Sequence, residues 1–366
     1  MTPSRPTQSL PLVLLLALAL AEPMAARAAV YCVDDASELQ LSLEAAFANE
    51  ENDLIRIEAG IYRSTSPDGF VAFNFSSVSR DLEISGGWTP GCGLRLPGLR
   101  STIDGELARP GMTLGGTTDV RGQLTIRNLQ FLRGYSAEAN RAGGLTINRG
   151  YDVVVESNLF RQNILEFGNT LAGARLYVLS EGTIAVRGNL FVDNEAPFPS
   201  NTAAGAASLG CYSFTGSASF NNNTVTANLA DVGGSADFGG VQLIGVPNCP
   251  WTVANNILWD NTGLDLAIGV AGVGVRNNDI ENLGGSQPPA ASSGNLAVDP
   301  QFVSAGNQRL RRSSPLVDAG INGASGGLPA ASFDGGPRVV ATLVDIGAYE
   351  LDQLLVAGFD PSGFGL

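Results

Sequence analysis

VESNLFRQN runs from Val155 to Asn163, and VRGNLFVDN runs from Val186 to Asn194, thirty-one residues further on. Each stretch holds an asparagine, an apolar pair and a second asparagine five places after the first. Extending that frame aligns Asn128 (RNLQFL), Asn158, Asn189, Asn223 (NNTVTAN), Asn256 (NNILWDN) and Asn278 (NNDIEN), at separations of 30, 31, 34, 33 and 22 residues. The second asparagine recurs at Asn163, Asn194, Asn228 and Asn261. Periods of this size mark stacked supersecondary units, each of which closes its core only against its neighbours.

The local pattern says which unit is repeated. DVVVESNLF, GTIAVRGNLF, SASFNNNTV and WTVANNIL are short, rich in β-branched and apolar residues, and alternate in the strand sense before breaking at Asn or Gly. No 3.6-residue period runs through this region, which excludes a helical solenoid. Glycine-rich stretches such as NRAGGL supply turns and close backbone approaches. The expected fold is all-β: a parallel β-helix in which each coil adds its strands to the coil below. Asparagine fits the turns because it tolerates a left-handed backbone. Stacked in register, Asn158, Asn189, Asn223 and Asn256 would form an amide ladder from coil to coil. The other reading is a ligand-binding row of the same side chains.

Composition narrows the chemistry. The 366-residue chain has no histidine and a net charge of −14, and all 21 of its basic residues are arginine. That removes Ser-His-Asp and Cys-His catalysis, histidine metal sites, lysine Schiff bases and phosphate-loop lysines. The acidic balance disfavours nucleic acid and anionic membrane as partners. Leu10–Ala21 is an apolar run preceded by Arg5, which reads as a secretory signal peptide cleaved after Ala21 or, preferably, Ala28. No later stretch is apolar enough to span a membrane. Secretion suits the four cysteines, for which proximity favours the pairs Cys32–Cys92 and Cys211–Cys249.

The open end of a solenoid needs a cap. DDASELQLSLEAAFANEEND, from Asp34 to Asp53, reads as a helix with Ser37 as N-cap and Leu39, Leu43 and Phe47 on one face. Asp53–Tyr62 then reads as the first strand and turn. The chain divides into a leader over 1–28, an N-terminal cap over 29–53, coils over 54–297, a closing region over 298–350 and a tail over 351–366.

These features resemble the bacterial right-handed parallel β-helix repeat proteins of the pectin-lyase-like fold. The resemblance rests on the helix and first strand, ISGGW at Ile84–Trp88 near Cys92, STIDG at Ser101–Gly105 and the asparagine-rich coils. The closing region is more specific. VDPQF (Val298–Phe302), SPLVDAG (Ser314–Gly320), DGGPR (Asp334–Arg338) and VDIGAYE (Val344–Glu350) occur in the order of the choice-of-anchor Q signature of secreted β-helix proteins. The resemblance implies a right-handed helix and little about activity.

Enzymes of this fold act on acidic polysaccharides, so their chemistry can be sought residue by residue. Lyase-type elimination needs Ca²⁺ held by carboxylates and an arginine base. Arg161, Arg175 and Arg187 lie on successive coils, with no acidic cluster in repeated register beside them. A polygalacturonase histidine motif is absent. ADFGGVQ (Ala236–Gln242) echoes an aspartate strand of pectin methylesterases without its second aspartate motif. Asp193 and Asp260 precede the second asparagine of their units, and Asp231 lies three past Asn228. Aligned on one groove, these carboxylates would serve hydrolysis or Ca²⁺ binding; otherwise they are solvated turn residues. Asp318, Asp334, Arg338, Asp345 and Glu350 are expected to close the last coils by ion pairs and hydrogen bonds. Trp88, Trp251 and Trp259 would stack on sugar rings if exposed. The expectation is a secreted or cell-surface protein with a structural, adhesive or glycan-contacting role toward extracellular polysaccharide or cell-surface components, without a cofactor or catalytic site. The alternative is a polysaccharide lyase or hydrolase using carboxylates and arginine.

Overall fold

The computed structural model describes residues 28–351, apart from 50, 75–79, 117–121, 139, 151, 167–171, 198–203 and 231–237. Residues 1–27, the tail beyond 351 and Asp231 lie outside the described residues.

The coil that starts at Val153 shows the path of the chain. Val153–Glu156 lies in a first sheet and Leu159–Arg161 in a second. Ile164–Leu165 lies in a short corner sheet, and Ala174–Ser180 in a third. Ile184–Arg187 then rejoins the first sheet one coil on, pairing in parallel with Val153–Glu156. Repetition builds parallel sheets of ten, eight, four and eight strands, wound as a right-handed β-helix. An antiparallel hairpin, Phe302–Ser304 with Asn307–Leu310, follows the last coil.

Alternation in each strand sends every second side chain inward, and parallel register stacks like on like. The first sheet's inner row is Ile55, Ile84, Ile126, Val155, Val186, Phe220, Val253 and Val275, all fully buried. In the second sheet Phe131, Phe160 and Phe191 stack with ring centroids 5.1 and 4.6 Å apart and nearly parallel planes. Each such ring contributes about 1.5–3 kcal/mol by burial, and the offset stack adds about 1 kcal/mol per pair. The row ends at Ser292, which follows Val275 in register, while the third sheet's row ends at Gly285 after Ile268. The core thus tapers to small and polar residues at this end, and little apolar surface meets water.

At the other end the helix Ala36–Ala48 buries Leu39, Leu43, Ala46 and Phe47 against the first coils, while Leu41 faces solvent. Its N-cap is Asp35, not Ser37. The helix begins at Ala36, so Ser37 lies within the first turn, and Asp35 in extended conformation accepts from the Glu38 amide at 2.8 Å. Arg80 Nη2 donates to the Phe47 carbonyl at 2.8 Å, placing a cation at the helix C-terminus. The chain also enters the first sheet before Asp53: Ala29–Val33 pairs with Asp53–Ile57 and forms the sheet's first strand.

The disulfides Cys32–Cys92 and Cys211–Cys249 close loops of 60 and 38 residues. Loop-closure entropy assigns each about 3–4 kcal/mol, in a model whose mechanism is disputed. Among the described residues no helix is long and apolar enough to cross a membrane.

The closing region does not close the last coils. After the hairpin it turns back and runs as a strap along the corner between the first and second sheets. Ala319 O accepts from Asn277, Ile321 O from Asn255, and Ser325 O from Asn221. Further along, Gly326 O accepts from Arg187, the Ala330 amide donates to Glu156, and Phe333 O accepts from Arg100. The strap covers the outer face of the second sheet, where Leu190, Val192 and Ile257 pack against Phe333, Ala348, Leu316 and Ile346. That is why Leu190, Phe191 and Val192 are all buried, a pattern expected of a strand covered on both faces.

Candidate functional site

Two asparagine ladders flank the second sheet. In the first, Asn158 Nδ2 donates to Asn189 Oδ1 at 3.1 Å, Asn189 to Asn223 at 3.0 Å, Asn223 to Asn256 at 3.0 Å, and Asn256 to Asn278 at 2.8 Å. Asn278 continues it to Asn295 at 3.0 Å. Each Oδ1 also accepts the backbone amide of the asparagine one coil back, as Asn189 Oδ1 does from Asn158. The second ladder joins Asn163, Asn194, Asn228 and Asn261 at 2.8 Å per step and ends on the Asp265 carboxylate at 2.7 Å. Apart from the half-exposed last rung Asn295, these amides are buried and engaged with the neighbouring coils, which leaves them little hydrogen-bonding capacity for a ligand.

Asn128 is out of this register. Leu129 occupies the ladder position of its coil and donates its amide to Asn158 Oδ1. The left-handed residue of the corner is the one before the ladder: Asn128, Ser157, Gly188, Asn222, Asn255 and Asn277 all have positive φ. Two adjacent positions therefore divide the roles given to one asparagine by the sequence. The first turns the backbone, and the second bonds to the next coil.

The same division holds at the second ladder and forms the candidate site. Its left-handed residues are Arg133, Gln162, Asp193, Ala227 and Asp260, one per coil, with side chains on the outer corner. Coils repeat at about 4.8 Å, so the row spans roughly 20 Å. Two concavities lie along it and share Ala227. One, of about 400 Å³, holds Arg133, Asp193, Glu195 and Leu229 among its lining residues. The other, of about 580 Å³, lies against the hairpin and is lined by Trp259, Asp260, Asp299, Phe302 and Arg311 among others.

Asp193 and Asp260 thus occupy equivalent places, two coils apart, on one open groove. Asp193 is held by Arg161 at 3.1 Å, and Arg133 pairs with Asp104. The Asp260 amide donates to Glu281 at 3.0 Å. Trp251 is buried, Trp88 lies under the Arg56 guanidinium, and Trp259 reaches the groove while packing beside the strap. Arg175 lies on the third sheet over Tyr177, and Arg187 pairs with Glu156 at the strap, so these arginines do not join Arg161. The groove's second wall, from Asp299 to Arg311, was marked in the sequence only by VDPQF as a closing-region motif, and its place against the coils follows from the path of the hairpin after the last coil.

The carboxyls that burial holds well above their ordinary range do not line the groove, although Asp265 lies beneath it at the end of the second ladder. Burial raises Asp265 and Asp279 to about 6 and Glu350 to about 7, and it also raises Asp345. Asp345 and Glu350 belong to a buried node in the strap. There Arg338 donates to the Asp345, Gly347 and Ala348 carbonyls and lies 3.7 Å from Glu350. Asp318 joins through its amide, which donates to Asp345, whereas Asp334 pairs with Arg309 instead. The node sits over the middle coils, beside Asn222 and Thr224. Cys32, Glu58 and Cys92 bring three potential ligand atoms within 4.8 Å, but both sulfurs are committed to the disulfide.

No protein-family model matches the sequence, and no curated protein matches it. Among solved structures the chain is similar to the crystal structure of pectate lyase Pel9A, at 15% identity over 84% of this chain and 90% of that one, with a TM-score of 0.33. That likeness bears on no residue of the groove, and the β-helix rests on the parallel sheets themselves.

Proposed function

We propose that this is a secreted or cell-surface β-helix protein of the choice-of-anchor Q group that contacts extracellular glycan along the corner groove, in a structural or adhesive role. The apolar leader and tail motifs support this reading, as do two disulfides suited to an oxidising compartment. The observation that carries it is the open row from Arg133 to Asp260, where Leu229 and Trp259 alternate with carboxylates, an arginine and a glutamine. Such a row offers an apolar ring for stacking and regularly spaced hydrogen-bond partners for a linear polymer. The second reading is a carbohydrate-active enzyme, favoured by the placement of Arg161 beside Asp193 on that groove.

A panel of pectate, alginate and neutral glycans, assayed for binding and for new unsaturated or reducing ends, separates the two. The expected result is weak binding, strengthened by Ca²⁺ bridging acidic chains to acidic side chains, and no turnover. Loss of binding in a Trp259→Ala, Asp260→Asn double variant supports the groove. Turnover abolished by Asp193→Asn, Asp231→Asn or Asp260→Asn establishes the enzyme instead.

A further inference from the structure

A smaller crevice opens on a different corner, between the Arg95–Gly98 loop, the strap at Ala330–Gly335 and the turns at Arg127–Asn128 and Glu156–Ser157. It encloses about 120 Å³. By the measure of roughly 10–15 Å³ per water, this holds several waters or one tetrahedral or planar oxyanion. A pyranose ring would protrude from it.

Its charges do not balance. Glu83 is held by Arg127 Nε and Nη2, and Glu156 by Arg187 at 2.6 Å and by the Ala330 amide. Each carboxylate is thereby matched by one guanidinium. Arg95 remains: among the described residues no side-chain hydrogen bond or ion pair holds its guanidinium, and Glu83 and Glu156, each already paired, attract it only from a distance. Behind the wall, among the described residues Arg100 bonds only to carbonyls, those of Ser157, Gly98 and Phe333, with its guanidinium over the Phe333 ring. Two guanidiniums with no carboxylate in contact therefore flank one crevice in a chain of net charge −14, since Asp334, which attracts Arg100 from a distance, is paired with Arg309. The Asn128 side-chain amide and the Ser157 hydroxyl also line it, and among the described residues neither has a side-chain hydrogen bond. Desolvation, with Arg127 adding repulsion, pulls Arg95 below the ordinary arginine range, and desolvation brings Arg100 to about 10. Both shifts have the sign of cations withdrawn from water.

We propose that this crevice binds a small oxyanion, a sulfate or carboxylate group, through Arg95 and the free face of Arg127, with the Asn128 amide and Ser157 hydroxyl as further donors. The excess charge of Arg100 lies behind it. Arginine forks match such oxyanions in geometry as well as charge. The site is independent of the corner groove and does not rest on glycan binding there. The anion arrives either free or as a substituent on a saccharide, and the chemistry of recognition is the same.

Titration of the full chain with sodium sulfate at constant ionic strength, with chloride as control, tests it by calorimetry. A selenate soak of crystals locates the anion by its anomalous signal. Saturable sulfate binding, at least tenfold weaker in Arg95→Ala and unchanged in Arg276→Ala on a distant coil, is the expected result. Arg95 is exposed, so Arg95→Ala should fold, and a melting curve checks this. Should only a sulfated or uronate oligosaccharide bind, with the same dependence on Arg95, the anion is a saccharide substituent. The proposal is overturned if neither free sulfate nor such an oligosaccharide binds, if binding is indifferent to Arg95, or if selenate settles elsewhere.

Discussion

Asn189 uses its whole amide. Nδ2 donates to Val155 O and Asn223 Oδ1, and Oδ1 accepts from the backbone and side chain of Asn158, all without solvent. An Asn189→Leu substitution removes those four hydrogen bonds; Asn223 Oδ1 keeps the Asn189 backbone amide and Asn158 Nδ2 keeps Ile126 O, so with about 1–3 kcal/mol for each remaining buried group a loss of about 3–5 kcal/mol is expected. Asn295→Ala, at the half-exposed last rung, should cost about 1 kcal/mol. Urea unfolding checks the ratio, and equal costs would mean that the ladder is ornamental. The spacing of these asparagines was legible because register forces it. The exchange of roles at Asn128 was not legible, because an Asn-Leu pair reads the same in either frame. Asp279 adds a pH signature. Its Oδ2 is buried without a hydrogen-bond partner among the described residues, and burial raises the carboxyl from an ordinary value of about 4 to about 6. The folded state then binds this proton more tightly than the unfolded state. The contribution to stability is fully present below about pH 4 and is lost as pH rises through about 6. Asp279→Asn should flatten that part of the stability profile and raise stability at pH 8 by on the order of 1 kcal/mol. An unchanged slope in chemical denaturation between pH 4 and 8 would refute this.

At the scale of elements, the N-terminal helix and the strap solve the same problem of an apolar surface left over by the coils. The helix was legible because Leu39, Leu43 and Phe47 repeat at helical spacing, although its cap was misplaced by two residues. Leu39 and Leu43 are fully buried, so a Leu39→Asp, Leu43→Asp double variant should lift the helix from the first coils and bare their apolar end. End-to-end association seen by light scattering, with a lower melting temperature, is expected. A monomer with unchanged melting would deny the helix its role as a cap. The strap carried no such period. It is held by backbone groups reaching side chains 42 to 233 residues away, as in Asn277 to Ala319 and Arg100 to Phe333. Local pattern cannot encode contacts of that kind, and this is also why the place of the groove wall from Asp299 to Arg311 against the coils escaped the sequence.

For the whole molecule, the strap changes how a repeat protein holds together. Stacked coils touch only their neighbours, so a bare solenoid is a one-dimensional array that can fray from either end. Here one segment bonds to the corners of successive coils from Arg100 to Asn277 and buries the outer row of the second sheet beneath it. Opening any of those coils disturbs contacts that the strap shares with the next. The disulfides do not do this, since Cys32–Cys92 ties together the first coils and Cys211–Cys249 a later pair. The full chain should therefore unfold in urea as one transition with coincident fluorescence and circular-dichroism curves. Ending the chain at residue 297 removes the strap and the hairpin. It bares Leu190, Val192 and Ile257 and releases the Asn221, Asn255 and Asn277 side chains from their carbonyl partners. The shortened chain should unfold over a broader range, with a smaller m-value and separated probes, because its coils then open in groups. If it keeps the m-value of the full chain and a single transition, cooperativity resides in the ladders and the core alone.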